Sequence, residues 1–217
     1  MSDAVAGQGE RAEWIGGRSR LDGPVHLANY DPAWAKDYER EANRILSALG
    51  DHALLIEHVG STSVPGLAAK PIIDIALVVP NPGDESSYVP QLESLGYTLR
   101  IREPDWYQHR VLRIRDRVNL HVFPADCGEV DRLVAFRDQL RRDHGDRNLY
   151  ESTKCALAAS HWNYMQEYAD AKAQVVAQIL AHTGHPRRHW RTLACTAFIS
   201  PQVAQRCRPS LRPPASM

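Results

Sequence analysis

Glu57-His58-Val59-Gly60-Ser61-Thr62-Ser63-Val64-Pro65-Gly66-Leu67-Ala68-Ala69-Lys70-Pro71-Ile72-Ile73-Asp74-Ile75 is the stretch that decides the fold. Leu54-Leu55-Ile56 leads into it and Ala76-Leu77-Val78-Val79 leads out. Apolar runs of this kind are expected of strands covered on both faces. Between them the residues predict a Gly-Ser turn and a short helix. Asp74 stands alone in its run, and a carboxylate there costs several kcal/mol unless it is paired or binds a cation. It is therefore a candidate functional acid. Gly60 and Ser61 let a backbone approach a ligand closely, and the turn's N–H groups suit a phosphate.

Working outward, Asp31-Pro32 starts a helix that carries Trp34, Tyr38, Ile45, Leu46 and Leu49 at helical spacing and stops at Gly50. Asn81-Pro82-Gly83 is a turn, followed by a weaker helix around residues 87–95. Residues 97–123 favour strands. Residues 110–115 and 118–123 both alternate and flank Asp116-Arg117, which predicts an antiparallel hairpin. In its second strand Val118, Leu120 and Val122 share one face, and Asn119 and His121 the other. Three helices follow, striped by Val130 to Leu140, by Leu149 to Leu157 and, in a longer third, by Tyr164 to Leu180.

The central motif closely resembles the signature of the GrpB family, a branch of the nucleotidyltransferase superfamily. The resemblance extends to His26 through Trp34, to Asn119-Leu120-His121-Val122, to Phe136-Arg137-Asp138-Gln139-Leu140-Arg141 and to Tyr164 through Lys172. It implies an α/β, nucleotidyltransferase-like mixed β-sheet with flanking helices and a helical C-terminal part. Three segments are expected: a flexible leader over residues 1–23, the folded domain over 24–184, and a basic, disordered tail over 185–217. That tail holds six Arg and no Lys, Asp or Glu, so the rest of the chain carries an excess of six acidic side chains.

Nucleotidyl transfer relies on positioning, on divalent metals and on stabilisation of charge at phosphorus. The superfamily pattern implies a Gly-Ser turn, two carboxylates two residues apart on the next strand, and a third on a later strand. Gly60, Ser61 and Asp74 fit. Ala76 stands where the second acid belongs, and His121 where the third would be. The standard pair of magnesium ions is thereby put in question. Asp74 and His121, with His58, are candidates for one divalent metal (Mg, Mn or Zn), since imidazole suits the softer ions. His121 is alternatively a general base, or a buried partner of Asp74 with no metal. Glu57 and His58 must point to opposite faces, and His58 is preferred for the face of Asp74.

For the nucleotide, Ser61, Thr62 and Ser63 supply hydroxyls, and Lys70, Arg113, Arg115 and Arg137 supply charge. Arg113 and Arg115 are expected to share a face. Each of these side chains has a plainer reading as a helix cap, a core residue or a solvated surface charge. Lys154, Tyr164 and Lys172 fall on the later helices, which the resemblance places over the site.

The chain has 26 basic and 26 acidic side chains, so overall charge indicates no nucleic-acid partner. Its four cysteines form no Cys-x-x-Cys pair, which argues against a structural zinc site. No signal peptide or membrane-length apolar run is seen, and a cytoplasmic location is expected. Three functions remain open: a metal-dependent nucleotidyltransferase acting on a small molecule, a degenerate nucleotide- or anion-binding module, and an accessory domain that partners dephospho-CoA kinase in coenzyme A metabolism. The last follows from the resemblance alone.

Overall fold

A computed structural model of the chain describes residues 12–18, 20–21 and 23–184. In chain order the elements are β1 (Glu13–Trp14), α1 (Ala33–Leu49), β2 (Leu55–Val59), β3 (Ile73–Val79), α2 (Val89–Ser94), β4 (Thr98–Glu103), β5 (His109–Ile114), β6 (Val118–Pro124), α3 (Gly128–Arg142), α4 (His144–Ala158), α5 (Met165–Asp170) and α6 (Ala173–Ala181). The six strands form one sheet in the order β1-β4-β5-β6-β3-β2. Only β3 and β6 run parallel; every other neighbouring pair is antiparallel. This is the mixed, nucleotidyltransferase-like sheet that the family resemblance implies.

The period of two decides what each face does. On one face Ile73, Ile75, Leu77 and Val79 of β3 join Val118, Leu120 and Val122 of β6. They pack beneath Trp34, Ile45 and Leu49 of α1 and Val89 and Leu92 of α2. Full burial of such a side chain contributes roughly 1.5–3 kcal/mol. Helix α1 begins as its residues require, with the Asp31 carboxylate accepting a hydrogen bond of 2.8 Å from the Ala33 N–H.

The other face carries Asp74, Ala76 and Val78 beside Asn119, His121 and Phe123, as the parallel register Asp74↔Asn119 and Ala76↔His121 dictates. Here only the far end is capped: Ala76, Val78 and Phe123 pack on Cys127 and Val130 at the start of α3. Val64 and Leu67, from the loop between β2 and β3, anchor a helical lobe through Leu140 of α3, Tyr150 of α4, and Val175 and Ile179 of α6. Asp74 thus lies near the start of its strand, between the open sheet face and this lobe.

Two expectations are corrected. The leader is not uniformly flexible. β1 pairs with β4 through Glu13↔Arg102 and Trp14↔Ile101, and Leu21 packs beside the Val25, Ala158 and Tyr168 cluster. Two residues pair too briefly to leave a readable period. The third long helix is also two helices, broken at Ala171-Lys172. Its apolar stripe serves two different clusters, with Tyr168 in one and Val175 and Ile179 in the other. The expected tail over residues 185–217 lies outside the described residues. Among the described residues no helix is long and apolar enough to cross a membrane.

Candidate functional site

Gly60 has φ +70° and ψ −174°, a backbone region that only glycine adopts readily. A Cβ there would stand 2.4 Å from Asp74 Oδ2 and 2.9 Å from Asp74 Cβ. The turn lies directly against the acid because this residue has no side chain. A single 3₁₀ turn, Ser61–Ser63, replaces the expected short helix. Its buried hydroxyls hold it shut: Ser63 Oγ donates to the Gly60 carbonyl at 2.6 Å, and Thr62 Oγ1 donates to the Ile72 carbonyl at 3.2 Å. Ser61 is the hydroxyl left facing the lobe, 3.2 Å from Lys154 Nζ.

Asp74 accepts a hydrogen bond of 2.8 Å from Asn119 Nδ2, and its Oδ1 lies 4.0 Å from His121 Nε2. The two side chains keep 30% and 31% of their exposure, so a ligand can reach both. Burial holds the Asp74 carboxyl above its usual range, against the Asn119 hydrogen bond and the charges of Lys70, Lys172 and Arg113. Burial, with the His109 ring and Arg113 nearby, pushes His121 down to about 3. The ring is therefore neutral at pH 7 and acts as a hydrogen-bond partner. Ala76 shares the face of Asp74 but is fully buried among Val59, Val78 and Phe123.

Cations converge on Asp74 from separate elements. Lys70 comes from the loop before β3, Arg113 from β5, and Lys172 from the break before α6; all three act on the Asp74 carboxyl. Lys70 and Lys172 also lie over the Tyr168 ring, at 6.0 and 4.6 Å from its centroid. Lys154, from α4, is 2% exposed, donates to Ser61 and to the Ala68 carbonyl, and sits 4.9 Å from the Tyr150 ring centroid. Burial, aided by the neighbouring Lys172, pushes Lys154 down to about 7; burial and Lys70 push Lys172 down to about 8. Three ammonium groups held this close are destabilised by one another and by burial, which an arriving anion would relieve.

Other expected site residues lie elsewhere. His58 is paired with Ile75 in register and so faces the α1 side, where it stacks on Tyr38 at 4.5 Å. Its assignment to the face of Asp74 is corrected; Glu57, opposite Ala76, takes that face. Arg137 Nη1 donates to Glu57 at 2.7 Å and to the His58 carbonyl at 2.9 Å, and its Nε donates to Asp138, pinning α3 to β2. Arg115 falls in the hairpin turn, is 96% exposed and lies 3.4 Å from Asp116, so it does not share the face of Arg113. Tyr164 belongs to the start of α5 and bridges to Arg20.

Sequence reading missed Glu103 and His109. His109 Nε2 is 3.2 Å from His121 Nδ1, and His109 Nδ1 is 2.6 Å from Glu103 Oε2. The signal was present: counting back from the Asp116-Arg117 turn places His109, Val111 and Arg113 on the face of Asn119 and His121.

The donors fit a pair of magnesium ions poorly. Magnesium asks for several oxygen ligands, whereas beside the Gly60-Ser61 turn Asp74 is a single carboxylate with Lys70, Lys172 and Arg113 acting on it. Among the described residues no group of three or more His, Cys, Asp or Glu could hold a metal ion. The arrangement is better suited to binding an anion over Ser61, Lys154 and Lys172, with a polar group of the ligand placed at Asp74 and His121.

Known proteins agree with this architecture. Residues 24–182 match the family model described as GrpB protein. A UPF0157 protein of Halalkalibacterium halodurans is 55% identical over 157 residues, covering 72% of this chain and 80% of that protein. The crystal structure of the conserved protein GrpB from Enterococcus faecalis superposes with a TM-score of 0.65 at 30% identity, covering 73% of this chain and 96% of that one. A dephospho-CoA kinase of Mycolicibacterium paratuberculosis shares a shorter stretch, 37% identical over 91 residues, covering 38% of this chain and 22% of the kinase. With the sheet, the turn and the family model in agreement over most of its length, the chain belongs to the GrpB family.

Proposed function

We propose that this protein binds a nucleotide or another phosphorylated small molecule on the Asp74 face of its sheet. The observation that carries the proposal is the convergence of Lys70, Lys154, Lys172 and Arg113 on the Gly60-Ser61 turn and Asp74. In this reading the phosphates lie beside the Ser61–Lys154 pair on the side of Lys70 and Lys172, and side-chain cations supply the neutralisation that two metals supply in the superfamily pattern. The shared stretch with a dephospho-CoA kinase makes dephospho-CoA a natural ligand to try beside ATP, with that kinase as the partner to try.

A second reading is nucleotidyl transfer to a small molecule with one divalent metal. Its support is that Asp74 and His121 share a face beside the turn, 4.0 Å apart. One experiment separates the two: calorimetric titration of pyrophosphate, ATP and dephospho-CoA, without metal and with Mg²⁺, Mn²⁺ or Zn²⁺, on wild type, Lys172→Met and Asp74→Asn. Binding without metal that is lost in Lys172→Met supports the anion site. Binding only with metal, lost in Asp74→Asn and accompanied by pyrophosphate release from ATP, supports transfer. Absence of binding under every condition refutes both.

A further inference from the structure

Glu103, His109, His121 and Asp74 form a row across three adjacent strands and onto a fourth, β4, β5, β6 and β3. Successive polar atoms lie 2.6, 3.2 and 4.0 Å apart. The row is rigidly held. His109 is 4% exposed, stacks on Phe123 at 4.5 Å, and meets Trp106 edge-on at 5.0 Å. The rings of His109 and His121 are within 6° of parallel.

With His109 singly protonated, hydrogen-bond parity fixes the protons along this row. A Glu103 carboxylate only accepts, so the proton of His109 is on Nδ1, which donates to it. A neutral His109 then has a lone pair on Nε2, and that atom accepts from His121 Nδ1–H. His121 is neutral as well, because its burial disfavours a second proton. Its Nε2 is left as a lone pair pointing toward Asp74. Without the row, either nitrogen of His121 could carry the proton.

We infer that Glu103 and His109 are positioning residues that fix the tautomer of His121, so that His121 Nε2 and Asp74 Oδ1 together accept an O–H or N–H group of the bound molecule. The inference rests on the reading of the Asp74 face as a ligand site and adds to it a requirement: the ligand carries a hydrogen-bond donor beside its phosphate. The spacing of 4.0 Å is too long for a direct hydrogen bond and short enough for one donor group to bridge.

The test is imidazole nitrogen NMR on the ¹⁵N-labelled full chain at pH 7 without ligand. The expected result for wild type is a single Nδ1–H tautomer for both His109 and His121. His109→Phe keeps the ring contacts with Phe123 and Trp106 but removes the acceptor, and Glu103→Ala removes the end of the row. In each variant that still unfolds cooperatively, the His121 signals should move toward the Nε2–H form. A wild-type His121 protonated on Nε2, as a doubly protonated His109 would impose, overturns the inference. So does a His121 tautomer unchanged in both variants. A parallel titration of wild type with pyrophosphate tests the anion site separately, so failure of one reading is distinguishable from failure of the other.

Discussion

Lys154→Met should make the free protein more stable and remove its affinity for phosphates. Lys154 is 2% exposed, and its ammonium is pushed from an ordinary 10.5 to about 7. That displacement corresponds to roughly 5 kcal/mol of unfavourable environment for the charged form, at about 1.4 kcal/mol per factor of ten. Methionine has nearly the same length and keeps the contact with the Tyr150 ring. It gives up the hydrogen bonds to Ser61 and to the Ala68 carbonyl, together about 2–4 kcal/mol when the lost partners are counted. The balance is a gain of about 1–3 kcal/mol at pH 7, or a rise in Tm of roughly 2–10 °C for a domain of this size. The sign with pH is also determined. Between about pH 7 and the ordinary lysine range the unfolded chain holds a proton that the native state has shed. Wild-type stability therefore rises with pH in that window, and the advantage of the variant shrinks. The assay is urea unfolding from pH 6 to 10 with pyrophosphate titration on both proteins. A variant that is less stable than wild type at pH 7 and binds pyrophosphate unchanged would make Lys154 a structural residue with no part in anion binding.

Gly60→Ala should cost roughly 2–4 kcal/mol in urea unfolding, from a backbone that only glycine tolerates and from overlap of the new methyl with Asp74; a near-neutral change would show that the turn does not press on the acid. Sulfate, whose charge is constant in this range, should bind less tightly as pH rises from 6 to 9, because Lys154 and Lys172 lose their protons near 7 and 8; a flat titration would remove them from the anion site. Deleting residues 1–17 should lower Tm while unfolding stays cooperative, since it strips β1 from β4 and Ile15 from the core edge, at roughly 1–2 kcal/mol for a half-buried Ile; an unchanged Tm would restore the view of residues 1–17 as a free leader.

Local pattern was enough for the strand–turn–strand unit, the acid at Asp74, the glycine beside it and the alternation of β6. These are local consequences of hydrophobic period and of backbone freedom, and they need no knowledge of what lies across the fold. A strand's own alternation says which residues share its face, but not which face of the sheet that is; this depends on register and on the element packed above. His58 accordingly went to the α1 side and Glu57 to Arg137, although either was compatible with the strand. Arg115 lost its place beside Arg113 because the hairpin turned one residue early. The gathering of Lys70 and Lys172 at Asp74, and of Lys154 at Ser61, joins positions up to about a hundred residues apart, and the closure of the helical lobe through Val64 and Leu67 brings them together. The tertiary structure alone also placed His109 against His121, and with that contact it decided which nitrogen of His121 faces the acid.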